Sequence, residues 1–129
     1  MPTWDELQAH ARKAYTLSLD ETDYFGLIFS YDDERSQQIT VSRFQAFEVD
    51  WIRFRTFVCA EADLNLRVAL RKNEGYTIGA LALDADGDYC FQYAAPLATL
   101  DPEEFSVALR ALAASADTLE EEHSGKDTY

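Results

Sequence analysis

The feature that most constrains this chain is the stretch from Leu100 to Leu119, which reads as one long helix with a single side to bury. Asp101 offers an N-cap oxygen, Pro102 takes the first helical position, where a missing N–H costs nothing, and Glu104 completes a capping box. Leu100 and Phe105 flank the cap as a hydrophobic staple. Phe105, Leu109, Leu112, Ala116 and Leu119 then recur at helical spacing along one face. A helix with one apolar stripe has to lie on another layer. Gly125 is placed to end it, and residues 126–129 are expected to fray as a tail.

The residues before this helix supply the other layer as strands. Tyr24 to Tyr31 is aromatic and β-branched, with Phe25, Leu27, Phe29 and Tyr31 on one alternation and Tyr24 and Ile28 on the other; Asp32 to Arg35 follows as a polar turn. Ile39 to Phe47 and Trp51 to Ala60 make two more strands around a Glu48-Val49-Asp50 connection. Tyr76 to Leu83 and Asp88 to Ala95 flank Asp84-Ala85-Asp86-Gly87, where the Asp-Gly pair signals a tight turn because glycine tolerates positive φ. At the N-terminus, Thr3 and Glu6 form a second capping box, and Trp4, Leu7, Ala11 and Ala14 mark a helix from about Thr3 to Tyr15.

Residues 61–75 fit two patterns. Leu64, Leu66, Val68 and Leu70 alternate as in a strand, while Leu66, Leu70 and Asn73 fall at helical spacing between a capping Asp63 and a terminating Gly75. With that segment open, the order is helix, three strands, an undecided segment, two strands and a long helix. This is an α+β two-layer sandwich, an antiparallel sheet with helices packed on one face, forming a single domain over residues 1–125.

Composition narrows the function. The 129 residues are 47% hydrophobic and 13% aromatic, enough to form a core without a metal or disulfide staple. The formal charge of -13 argues against duplex nucleic acid and against an anionic membrane surface. Cys59 and Cys90 sit in apolar strand-like runs and read as buried, reduced thiols. A charged helical N-terminus and no apolar run of membrane-spanning length give the cytoplasm as the expected compartment.

No catalytic constellation emerges, and the expectation is a non-enzyme without cofactor or metal. His10 and His123 lie on the terminal helices, read as facing water, away from any nucleophile they could activate. The five glycines are scattered and make no phosphate loop. Asp84 to Asp88 matches only the start of a calcium loop and is flanked by strands, so it reads as a hairpin turn. Glu120, Glu121 and Glu122 read as a solvated helix face.

The hairpin from Ile39 to Ala60 is the most informative segment for binding. A tight connection at residues 48–50 would set Arg43 opposite Arg55, Phe47 opposite Trp51, Val41 opposite Phe57 and Phe44 opposite Phe54. One face would then carry Val41, Arg43, Phe47, Trp51, Arg53, Arg55 and Phe57, the candidate protein-binding residues. Tryptophan, phenylalanine and arginine are types enriched at binding hot spots. Facing arginines need acidic neighbours. These come either from the protein itself or from an acidic segment, a twin subunit or a single strand of nucleic acid. Strands apolar on both alternations suggest that the open side of the sheet is covered, most economically in a homodimer. The alternative is a small-ligand regulatory domain, with a closed pocket between sheet and last helix and Tyr89 or Tyr93 in its wall.

The order of elements also resembles a known family. From Trp51 through Ala62 to Asn73, on through the hairpin Ala80 to Phe91, and into Ala95 to Phe105, the apolar pattern is similar to that of the YbjN-like bacterial proteins, which share the type III secretion chaperone (CesT-like) fold. The likeness covers about Thr3 to Ser124 and carries no invariant signature. It implies that residues 62–73 form a short middle helix. It further implies homodimers that grip a client protein through apolar surface, some of them regulatory adaptors. It brings no catalytic residues, and the cluster of Arg43, Arg53 and Arg55 is no hallmark of the family.

Overall fold

Aromatic and β-branched residues between Leu17 and Pro96 form six strands of one antiparallel sheet, and helices pack on one of its faces. The computed structural model describes residues 3–30 and 36–123, without the side chain of His123. Tyr31, the Asp32–Arg35 turn, Gly125 and the tail after it lie outside the described residues. In chain order the elements are α1 (Trp4–Ala14), β1 (Leu17–Asp20), β2 (Tyr24–Ser30), β3 (Ser36–Ala46), β4 (Val49–Ala60), α2 (Leu66–Asn73), β5 (Ala80–Leu83), β6 (Asp88–Pro96) and α3 (Pro102–His123). The strands lie side by side as β1-β2-β3-β4-β6-β5. This is the expected α+β sandwich with one addition: β1, only four residues long, was too short to show a pattern.

Both N-caps form. Thr3 Oγ1 accepts the Glu6 amide at 3.2 Å, and Asp101 Oδ1 accepts the Glu104 amide at 2.8 Å. The undecided segment is helical, as the resemblance implied, but only from Leu66. A 3₁₀ turn over Glu61–Asp63 precedes it, and the cap is Asn65, whose Oδ1 accepts from the amides of Arg67 and Val68 at 2.9 and 3.3 Å.

The core lies between the helices and one alternation of the strands. Phe105, Leu109, Leu112, Ala116 and Leu119 of α3 are all buried, as their spacing required. Phe105 is the central contact, its ring 5.6 Å from Phe54, 6.3 Å from Phe25 and 6.4 Å from Tyr15. Trp4 and Leu7 hold α1 on the same side, with the Trp4 ring 5.4 Å from Phe25. Each such side chain contributes about 1.5–3 kcal/mol when withdrawn from water. Further down α3, Glu120 is buried, correcting the solvated face expected for Glu120–Glu122; only Glu121 and Glu122 are exposed.

The sheet edge at β5 is closed by a side chain. Asn73, at the end of α2, accepts from the Leu81 amide at 2.6 Å and donates to the Leu81 carbonyl at 3.2 Å. That occupies the groups an edge strand would otherwise present to another strand. The strand begins at Ala80, not at Tyr76 as expected, because Gly79 takes φ +89 and turns the chain into it.

Candidate functional site

The hairpin between β3 and β4 decides which side chains share a face. Its turn is two residues long, Phe47 and Glu48, with φ +53 and +62. Positive φ at both central positions is the backbone twist that suits a two-residue hairpin. Across the ladder Arg43 meets Ile52, where Arg55 was expected, a displacement of three residues. An odd displacement exchanges the faces of one strand relative to the other.

The expected seven-residue patch is therefore split. Val41 belongs to the core, fully buried opposite Phe54. Arg43 shares its alternation but sits near the hairpin end, where its guanidinium meets Asp23 at 3.0 Å and lies 5.8 Å from the Trp4 ring. The acidic neighbour predicted for it is thus the protein's own. Phe47 stands at the tip of the turn, 90% exposed. Trp51, Arg53, Arg55 and Phe57 do share a face, the one turned away from the helices.

That open face has an ordered centre. The Trp51 indole donates to the Ala46 carbonyl at 2.9 Å, which fixes the ring. Phe44, directly opposite on β3, stacks on it at 6.3 Å with an 18° interplanar angle. The Arg53 guanidinium lies 4.5 Å from the centroid of Phe44. Such a cation–π contact orients the group without neutralising it. Arg55 donates to Gln92 Oε1 from Nη2 at 2.9 Å and from Nε at 3.3 Å. Phe57, 46% exposed, continues the row, and Tyr24 and Ile28 of β2 add apolar surface on the same side. The hairpin turn gave no glycine or asparagine signal, so the original register hid Phe44 as a member of this face.

A second exposed surface was also missed. Within the eight residues of α2 only Ala69 is buried, leaving Leu66, Val68 and Leu70 exposed, with Leu70 at 71%. Leu66 and Leu70, at i and i+4, would have marked a stripe once the segment was known to be helical.

Cys59 and Cys90 are free and buried, and burial raises both thiols, Cys59 to about 11 with Asp63, Asp88 and Glu120 adding to the effect. A thiol held protonated is a poor nucleophile. Asp84 Oδ1 accepts from the amides of Asp86 and Asp88, as befits a hairpin turn, and Gly87 there has φ +82. Among the described residues no group of three or more His, Cys, Asp or Glu could hold a metal ion, and no helix is long and apolar enough to cross a membrane.

The expected closed pocket between sheet and α3 is an open groove of about 410 Å³ lined by Ile78, Tyr93, Leu100 and Val107, with Asp101, Glu103 and Glu104 at its rim. Tyr89 is not in it: the ring is buried, and its hydroxyl donates to the Leu64 carbonyl at 2.7 Å. A larger hollow of about 670 Å³ lies at the hairpin end of the sheet, between Trp4, Arg43, Phe44, Val49 and Leu97.

Two solved complexes contain chains of this fold. A chain in the structure of the HopA1–SchA chaperone–effector complex superposes with a TM-score of 0.63 at 14% identity, covering 88% of each chain. A chain in the ExsC–ExsE complex gives a TM-score of 0.63 at 18% identity, covering 93% of this chain and 95% of that one. At such identities the likeness shows the fold. The chain itself belongs to the YbjN family, described as "Putative bacterial sensory transduction regulator", whose profile matches residues 7–123. No curated protein matches the sequence.

Proposed function

We propose that this protein is a non-catalytic binding module, chaperone-like or a regulatory adaptor, that acts in the cytoplasm as a homodimer and holds another protein on the open face of its sheet. The observation that carries this reading is the row of Trp51, Arg53, Arg55 and Phe57 with Phe44, an aromatic surface ordered by its own contacts and left outside the core. Residues of these types supply much of the energy at protein interfaces. Two proteins of the same fold were solved in complexes, one of them described as chaperone–effector, and the family description points to regulation.

The homodimer is supported by α2. A helix that buries only Ala69 in its own domain leaves Leu66 and Leu70 as a stripe that a two-fold mate could cover. Light scattering on the purified chain tests this. The expected mass is twice 14.6 kDa, returning to one copy in a Leu66→Lys/Leu70→Lys variant. A wild-type monomer at micromolar concentration would remove the dimer from the reading. For the client, affinity capture from the source cells should bring down one stoichiometric protein. Recovery of a small molecule in place of a protein would favour the ligand-binding alternative and the groove beside Tyr93.

A further inference from the structure

Acidic side chains outnumber basic ones by 24 to 11 in this protein, yet the open face of the sheet reverses that balance. Among the described strand positions on that side, the charged residues are Arg53, Arg55 and, at the far end of β6, Asp88. Three other cations are ion-paired within the protein: Arg12 meets Asp20 at 2.7 Å, Arg43 meets Asp23 at 3.0 Å, and Lys72 meets Glu122 at 3.3 Å. Among the described residues Arg53 and Arg55 have no carboxylate partner; their neighbours are the Phe44 ring and the Gln92 amide oxygen. Both neighbours are neutral. They direct the guanidinium groups and leave their charge uncompensated.

We infer that the open face takes an extended acidic segment of a partner protein, with carboxylates paired to Arg53 and Arg55. This rests on the proposal that the face binds protein, and it names the chemistry of the partner. Spacing supports it. Arg53 and Arg55 are alternate residues of β4, so their positions are about 7 Å apart, the repeat between alternate residues of any extended chain. Trp51 precedes them and Phe57 follows on the same alternation, giving aromatic, arginine, arginine, aromatic along the strand. The complementary segment places apolar, acidic, acidic and apolar residues at its own alternate positions. A guanidinium lying on a ring keeps its N–H edge free, and that edge fits a carboxylate with two parallel hydrogen bonds.

The same charges argue against a second copy of this chain on this face. A two-fold contact pairs the same patch on both molecules, which would bring the arginines of one copy against those of the other. They also argue against a nucleic-acid strand, since two cations on a protein of charge -13 make little of the phosphate neutralisation that such binding needs.

Fluorescence anisotropy with labelled synthetic peptides tests the inference. The probe carries leucine, glutamate, glutamate and phenylalanine at alternate positions separated by serine. Its controls replace both glutamates by glutamine or by lysine, and a labelled oligothymidylate serves as the nucleic-acid probe. The full-length protein should bind the glutamate peptide at least about tenfold more tightly than the glutamine peptide and should not bind the lysine peptide. Salt should weaken the binding, and Arg53→Gln/Arg55→Gln should lower it to the level of the glutamine peptide. Arg53→Lys/Arg55→Lys, which keeps the charge and loses the fork, should retain part of it. Equal binding of the glutamate and glutamine peptides, no binding of either, preference for the oligonucleotide, or full affinity in the glutamine variant would each overturn the inference. A client that is lost in Trp51→Ser/Phe57→Ser but kept in Arg53→Gln/Arg55→Gln would refute it while leaving the protein-binding reading intact.

Discussion

Replacing Gly79 by alanine should destabilise the fold far more than the same change at Gly75, four residues earlier. At Gly79 the added Cβ would sit 2.4 Å from Phe91 Cε2 and 2.9 Å from Cζ, and the backbone has φ +89. Positive φ costs an alanine about 1–2 kcal/mol. Overlap with a packed ring costs roughly 1–3 kcal/mol more when the ring has no room to withdraw. Phe91 has none: it is fully buried, with Tyr76 edge-on at 4.8 Å. The sum is about 2–5 kcal/mol, and at roughly 4 °C per kcal/mol for a chain of this size the melting temperature should fall by about 8–20 °C. At Gly75 the added Cβ meets only the Lys72 carbonyl at 3.6 Å, an ordinary contact, so alanine there should change stability by less than about 1 kcal/mol. Thermal melts followed by circular dichroism, with urea titrations alongside, measure both variants. Equal stabilities would refute the reasoning, because they would mean that the turn into β5 does not press on Phe91.

Further outcomes follow from other sites. Glu48→Gly should raise stability by about 0.5–1 kcal/mol, because relief of the positive φ in the hairpin turn, about 1–2 kcal/mol, outweighs the roughly 0.5–1 kcal/mol cost of glycine's added chain freedom; a lower urea midpoint would contradict that turn. Leu112→Ala should cost about 2–5 kcal/mol in urea unfolding, and a change near zero would remove α3 from the core. The Cys59 thiol is raised to about 11 in the folded protein, above its ordinary value near 9.0. Its contribution to stability is therefore complete below pH 9.0 and is lost as pH rises toward 11, so unfolding midpoints should drop across that window in wild type and less in Cys59→Ala. The same burial should keep both thiols unreactive toward an alkylating reagent until the chain unfolds.

Much of the fold could be read before the structure because local and global signals agree. The Asp101-Pro102-Glu104 cap and the stripe from Phe105 to Leu119 specify a helix that must lie on a sheet, and the Asp86-Gly87 turn specifies its hairpin. The binding face was harder to read because it depends on register, and register here rests on a turn that its residues do not announce. Phe47 and Glu48 adopt the positive φ that glycine or asparagine usually supplies, so the connection looked three residues long and β3 was set three residues out of place. The four positions from β4 survived the shift as one face, since they alternate along a single strand. Val41 and Arg43 did not, because their side depends on the partner strand. In α2, Asn65 could be recognised as the cap only once the segment was known to be helical, and the exposed stripe beside it stayed hidden for the same reason.

The central claim is that the open face of the sheet holds a protein client, and affinity capture with wild type and a Trp51→Ser/Phe57→Ser variant tests it most directly. Both side chains lie outside the core, so the variant should keep its circular dichroism spectrum and its melting temperature within a few degrees. One stoichiometric protein partner is expected with the wild type, and its loss is expected from the folded variant. The same partner recovered equally with both proteins would mean that the client does not sit on the open face.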